Sequence, residues 1–416
     1  CGVFKVNGKM GKALISSLAV QVVTLPVMLW FYGEVSAIGI FLNLIVLPTV
    51  GVVLGSGVAA AILGLVWKAG AAVIVMPGRG LLWLYEGLCI LGEKLPFCTW
   101  VGGQPKHWQI LTYYIVLAAA AVIWKCRSRS KWVLLFLVTG IMVLAWRPET
   151  DLRITCLDIG HAIALETPSG QTFLIDGGSS NKKEICRYQI LPYLKNRGIS
   201  YIEAVFISHT DNDHISGIQE FLDYQAAGVS SVKMGSLVLP KWENPPDAWK
   251  KLAESARRAG VKVLTAKSGD VFYGKNIELR VLAPGKEARG ENVNEEGMVL
   301  EMVYGSFKGI FTGDIGIETE EKLLEEKVLE DVSYLKVGHH GSGYSTGEAF
   351  LQTILPEFAV ISVSETNTYG HPSGETMQRL QKAGAKVYCT KDRGAVTAEV
   401  SRSGTVSIKS YLQKRK

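Results

Sequence analysis

The sequence predicts a chain of two textures: α-helical membrane segments, then an α/β domain whose sheets lie between helices. Charge distribution is the first observation behind this. Residues 1–149 hold 12 Lys+Arg and 4 Asp+Glu, and the totals of 44 and 38 leave 32 and 34 for residues 150–416. The first part is therefore +8 and the second −2, a split that places one part in lipid and the other in water. Long apolar runs confined to the first part are the second observation. The third is an alternation of short strand-like and helix-like runs after residue 150, with His and Asp gathered just past strand ends.

Within the first part, residues 13–31 are apolar, carry Pro26, and are long enough to cross about 30 Å of hydrocarbon. Residues 35–67 are too long for one simple span and are punctuated by Pro48 and several glycines. A kinked long helix, a re-entrant pair and two short buried helices all fit this run. Residues 71–92 carry Arg79 and Glu86 and read as amphipathic, suited to the interface or a polar cavity. Residues 108–124 and 132–146 are cleaner spans, each bounded by tryptophans as interface anchors. Between them lies Lys125-Cys-Arg-Ser-Arg-Ser-Lys131, with four positive charges in seven residues, a cytoplasmic loop by the positive-inside rule. One further crossing then puts residues 150–416 on the outer face. The basic charge thus belongs to membrane orientation, and the second part has no bulk positive field to attract a polyanion.

The chain begins at Cys1 without a signal-peptide layout, and is expected to continue a longer N-terminal portion. Seven cysteines occur with no CxxC spacing. Cys156, Cys186 and Cys389 can pair if the domain faces an oxidising space, a point spacing does not decide. From residue 153 onward, strand-like runs occur at 154–157, 162–166, 172–175, 203–208, 261–264, 277–282, 299–303, 309–311, 358–362 and 386–389. Helix-like runs occur at 185–196, 218–225, 249–259, 318–330 and 376–383.

Only seven histidines occur, and four of them fall in two pairs of sites, His209 with His214 and His339 with His340. Ser208-His-Thr-Asp-Asn-Asp-His-Ile-Ser-Gly217 offers His209, Asp211, Asp213 and His214 from one loop, a mixed imidazole and carboxylate set of the kind neighbouring metal ions require. Asp314, in Phe311-Thr-Gly-Asp314, is the candidate carboxylate bridging two cations. Asp176, in Leu174-Ile-Asp-Gly-Gly178, suits support of a ligand histidine or a plain turn. Adjacent side chains diverge, so of His339 and His340 one is expected to reach the metals, with His340 favoured. His371 supplies another ligand or a proton donor.

Taken together, these segments resemble the ComEC-type DNA-internalisation family. The resemblance runs through Leu157-Asp-Ile-Gly160, Leu174–Gly178, His209–Gly217, Phe311–Ile315, Leu335–Ser342 and Ile361–Pro372, and through Gln21–Pro26, Glu34–Gly39 and Leu42-Asn43 in the membrane part. It implies a partial competence-type transmembrane domain over 1–149 and a metallo-β-lactamase-like αββα sandwich over 150–416. Two divalent metal ions, Mn or Zn, are the implied cofactors, Asp211 in place of the usual middle histidine shifting preference toward harder ions. Asp158 and His339, with Asp176, would support the ligands. Asp213, His340 and His371 would carry catalysis. The implied role is DNA uptake in transformation, with a nuclease degrading the strand that does not enter. Its implied partners are single-stranded DNA, the lipid bilayer, other competence proteins and, as a further option, a second copy of the chain. Where the family carries Gln-Gly-Asp, Asp158-Ile-Gly160 runs into His161-Ala162, and His161 is a further, less favoured ligand candidate. The loop at Asn294-Glu-Glu-Gly-Met298 also departs. Two other functions fit the residues: a DNA-binding or gating module without catalysis, and a membrane-tethered metallohydrolase of small phosphoesters.

Overall fold

The computed structural model describes residues 9–412 except 94, 96–98, 128–129, 149–150, 365–366 and 368–369. Part of the basic loop, Tyr369, Cys1, Cys98 and the expected 149/150 boundary therefore lie outside the described residues. Two compact units are present, 1–147 with 192–200, and 148–191 with 201–416.

The first unit comprises α1 (Lys9–Tyr32), β1 (Glu34–Ser36), α2 (Ile38–Gly64), α3 (Lys68–Ile74), α4 (Met76–Glu93), β2 (Thr99–Val101), α5 (His107–Arg127) and α6 (Ser130–Ala145). Among the described residues, three helices are long and apolar enough to cross a membrane, or four if α3 and α4, bent by 42°, count as one broken span. Of the readings open for residues 35–67, one continuous 27-residue helix after a short strand is what forms, with Pro48 inside it. Pro26 cannot donate to the Val22 carbonyl of its own helix. The Tyr113 hydroxyl of α5 donates to that carbonyl instead, at 2.6 Å, which satisfies a group that lipid would leave bare. Gln109 does the same at the end of α6, donating to the carbonyls of Val143 and Trp146. The segment expected as a fifth clean span is a 16-residue helix. At about 1.5 Å per residue it is shorter than a straight crossing of the hydrocarbon.

In the second unit, an eight-stranded sheet has the order β17-β16-β3-β4-β5-β6-β7-β8. Its strands are β3 (Leu152–Cys156), β4 (His161–Glu166), β5 (Thr172–Gly178), β6 (Tyr201–Phe206), β7 (Lys233–Pro240), β8 (Lys262–Ala266), β16 (Val396–Val400) and β17 (Val406–Ser410). A seven-stranded sheet has the order β15-β14-β13-β12-β11-β10-β9. It is built from β9 (Val271–Gly274), β10 (Ile277–Ala283), β11 (Val299–Tyr304), β12 (Phe307–Phe311), β13 (Tyr334–Lys336), β14 (Phe358–Ile361) and β15 (Lys386–Cys389). Ile277, Leu279 and Val281 of β10 alternate inward with half-exposed Glu278 and Arg280 outward, as one buried face demands. Side chains of both sheets, among them Phe206, Val238, Leu300, Phe311 and Tyr334, share one core. A second core lies under α10 (Ile317–Glu325), α11 (Glu348–Ile354) and α12 (Gly374–Lys382). Helices α8 (Asn212–Ala227) and α9 (Asp247–Arg258) cover the eight-stranded sheet. The result is an αββα sandwich. Cys156, Cys186 and Cys389 are buried and none is in a disulfide, so none of the pairings open in the sequence forms.

Several elements escape the sequence pattern. The helix expected from residue 218 begins at Asn212, inside the histidine motif. Strands β7, β9, β13, β16 and β17 and helix α11 were not expected, and the long helix expected to 330 stops at Glu325. Helix α8 can sit on the end of β5 because both surfaces are glycine there. A Cβ on Gly178 would stand 2.4 Å from the Asp213 carbonyl, and one on Gly217 would stand 2.5 Å from the Gly177 carbonyl. Gly178→Ala is therefore expected to push back the first turn of α8, at a cost of about 1–3 kcal/mol of stability. A lowered denaturation midpoint would register it.

Candidate metal centre

The cluster is assembled from strand ends of both sheets. The last residues of β5 supply Asp176, held at φ 56°, a region residues other than glycine seldom take. Its Oδ1 accepts the Ser208 N–H at 2.7 Å and its Oδ2 accepts the Ser208 hydroxyl at 2.8 Å. That same Oδ2 accepts His214 Nδ1–H at 2.9 Å. With its one proton given to Asp176, the Ser208 hydroxyl is left to accept from His209 Nδ1–H, 3.1 Å away. Both imidazoles are thereby oriented with Nε2 turned away from the anchor.

Asp211 is the N-cap of α8, yet its side chain makes no capping bond. It turns to His209 instead, with Oδ2 3.6 Å from Nε2, and stays half exposed. Asp213 follows in the first turn. Asp314, past β12, has Oδ2 3.5 Å from His214 Nε2 and Oδ1 3.7 Å from His161 Nε2. Those approaches are too long for hydrogen bonds, and both His214 Nε2 and Asp314 Oδ1 are buried without a hydrogen-bond partner. His339 and His340 both have positive φ, 46° and 54°. His340 donates Nδ1–H to the Ser362 carbonyl at 2.7 Å, which leaves its Nε2 facing His161 Nε2 at 2.6 Å and Asp213 Oδ2 at 3.6 Å.

His161 thus stands in the middle. Its ring stacks on His214 at 3.6 Å between centroids and lies 3.9 Å from His340. The donor atoms of His161, Asp213, Asp314 and His340 lie within 4.8 Å of one another, as do those of His209, His214 and Asp314, so the two groups share Asp314. His371 is outside this set, on the cavity wall 6.3 Å from the His340 ring, and His339 lines the same wall. Asp158 is not brought in: half-buried, it engages Lys182 Nζ through its backbone carbonyl at 2.7 Å. Two positioning groups went unassigned in the sequence, Ser208 and Ser362. The Ser362 hydroxyl also donates to the Gly160 carbonyl, fastening the turn before His161 to the sheet that carries His340. Each serine is the last residue of a strand-like run, 203–208 and 358–362, which is the signal that was available.

The cavity above the cluster holds about 310 Å³. Electrostatics within the cluster are strongly coupled. Burial lowers His214, but Asp176 and Asp314 overcome it and raise its pKa to about 10. Burial, with the neighbouring His214 and His340, drives His161 well below the usual imidazole value. Burial raises Asp314, yet the facing His161 and His214 hold it well below the carboxylate range.

The metallo-beta-lactamase superfamily model matches residues 157–364, half of the chain. The chain belongs to the metallo-beta-lactamase superfamily. A competence-protein model matches residues 3–127, so the chain joins a competence segment to a metallo-beta-lactamase domain, as in ComEC-type competence proteins. ComE operon protein 3 of Bacillus subtilis is 27% identical over 433 aligned residues, covering 97% of this chain and 54% of its own length. Competence protein ComA of Neisseria gonorrhoeae is 23% identical over 372, covering 80% and 49%. The chain spans about half the length of these curated relatives. Among solved structures, the Bacillus subtilis metallo-beta-lactamase fold protein YhfI is 10% identical with a TM-score of 0.40, covering 59% of this chain and 99% of its own, a likeness too loose to bear on the site.

The residues fit a metal centre of this superfamily. Two buried polar atoms, His214 Nε2 and Asp314 Oδ1, lack hydrogen-bond partners, and two imidazole nitrogens face each other at 2.6 Å, where only a proton or a cation relieves their lone pairs. In metal-free protein, protonated His214 stabilises the fold fully below pH 6.5, and that contribution is lost as pH rises toward about 10. A cation competes with that proton, so metal affinity is expected to rise with pH, about tenfold per unit for one proton released. Titration calorimetry at several pH values checks this. Asp176→Asn unpins His214 and is expected to weaken metal binding by about 10–100-fold.

Proposed function

We propose that residues 150–416 form a metal-dependent phosphodiesterase acting on DNA during uptake, carried by a partial competence-type transmembrane domain over 1–149 with the hydrolase on the outer face. The observation that carries this reading is the pair of donor groups sharing Asp314, with unpartnered His214 Nε2 and Asp314 Oδ1 at their centre. On this reading His209, Asp211, His214 and Asp314 hold one divalent cation, and His161, Asp213, Asp314 and His340 a second. When bound, such ions supply Lewis acidity toward a phosphoryl oxygen and lower the pKa of water.

The chain's own groups do the rest. His340 presents an Nε2 lone pair, because Nδ1–H is committed to Ser362, and so suits cation holding more than acid catalysis. Asp213, 28% exposed at the cavity floor, is placed to orient an attacking water. His371 is left as the group that hands a proton to the leaving oxygen. Burial, first, and the other histidines keep it below the usual imidazole value, so it takes up its proton as the phosphate's negative charge arrives. The competence segment and the relatives' names, competence protein ComA and ComE operon protein 3, favour DNA in transformation over a small phosphoester.

With Mn²⁺ or Zn²⁺, the full chain in detergent is expected to cleave single-stranded DNA. Asp213→Ala should reduce the rate at least about 100-fold, and a chelator should abolish cleavage until metal is restored. Equal cleavage by parent and variant, or none by the parent, rejects the enzyme.

A further inference from the structure

The cavity wall carries Asp211, Asp213 and Asp314 and, among the described residues, no lysine or arginine. A phosphodiester entering it meets no protein cation inside. Cations follow directly along the chain from one stretch of its lining. Ser179, Ser180 and Asn181 line the cavity after β5, and the chain then enters a π-helical turn, Cys186–Ile190. Ile185, Cys186 and Ile190 are buried and fasten the turn inward. Its first N–H groups, of Cys186 and Arg187, donate to Glu220 at 3.0 and 3.3 Å, and the Tyr224 hydroxyl donates to the same carboxylate. The charge of Glu220 is thus engaged in holding the turn. Lys182 is engaged too, through the Asp158 carbonyl.

Lys183, Arg187 and Tyr188 are left facing outward. All three are exposed, Tyr188 at 61%, and the Arg187 guanidinium sits 5.3 Å from the Tyr188 ring centroid. Glu184 is the one acid between them. An open aromatic face with two cations within six residues, starting two residues past the cavity-lining Asn181, matches single-stranded nucleic acid: bases stack on the ring and cations offset backbone phosphates. A lipid surface is met by apolar side chains, and those of this segment point inward.

We propose that Lys183, Arg187 and Tyr188 form the surface on which single-stranded nucleic acid lands before its phosphodiester reaches the cavity. This rests on the phosphodiesterase reading for its destination but is tested by binding alone. The full chain in detergent, with EDTA to prevent cleavage, is titrated into fluorescent oligothymidylate and followed by anisotropy. Tyr188→Ala is expected to weaken binding by about tenfold, within the range of one lost base stack. Lys183→Gln with Arg187→Gln is expected to reduce the slope of log affinity against log salt by about 1.4, roughly 0.7 per cation. Tyr273→Ala, removing an equally open tyrosine (75% exposed) on β9, is expected to bind as the parent does. Parental affinity and slope in the variants overturn the proposal, as does an equal loss in Tyr273→Ala. A loss seen only with nanodiscs containing phosphatidylglycerol assigns the surface to lipid and overturns it too. Failure of the parent to hydrolyse DNA would reject the enzyme reading and leave this binding result standing.

Discussion

One buried carboxylate orders the metal centre. Asp176 takes three hydrogen bonds, two from Ser208 and one from His214, and so ties the end of β5 to the loop that leaves β6. Without that tie the loop would have to place two imidazoles by packing alone. With it, His209 and His214 are fixed in ring orientation and tautomer, and their Nε2 atoms turn toward Asp314. The left-handed backbone at Asp176 is what aims the carboxylate at the loop. The glycines at 177, 178 and 217 let α8 come close enough to be reached.

A second tie crosses between the sheets. Ser362, at the end of β14, gives its hydroxyl to the Gly160 carbonyl and its own carbonyl to His340. It therefore sets His161 of the eight-stranded sheet against His340 of the seven-stranded one. The two serines act alike: each sits where a strand stops, where a hydroxyl and a backbone group together can hold two loops at once. Inside the cluster the charges balance only as a set. Asp314 stays ionised because imidazoles face it, His214 stays protonated because two carboxylates face it, and His161 stays neutral because it is buried among other histidines. Such opposed shifts packed into one cavity are the mark of groups arranged for a ligand rather than for stability alone.

The division of labour around the cavity follows from the same economy of charge. Carboxylates and imidazoles line the cavity, and among the described residues no lysine or arginine does. The membrane unit shows the corresponding rule for lipid. The carbonyl freed by Pro26 is answered by a tyrosine from another helix, and the end of α6 by a glutamine, because no water is there to do it.

The sequence by itself determined what is local or compositional. Charge asymmetry and apolar runs marked the helical unit, and residues 209–214 declared their chemistry because one turn of chain brings their donors together. What tertiary structure decided is what depends on long-range register. His161 looked like a minor candidate beside a shortened turn, since nothing near it in sequence is a partner; it becomes central only when the start of β4 meets the loop after β13 of the other sheet. His340, favoured over His339 in the sequence, is aimed by its Nδ1–H bond to the Ser362 carbonyl, 22 residues away and visible only in the fold. Strand β16 pairs with β3 across more than 240 residues, and the start of α8 is set by the end of β5, not by helix propensity. Local spacing fixes which atoms are offered; only packing of the two sheets fixes which of them meet, because donors from separate strands converge through the register of the whole sandwich.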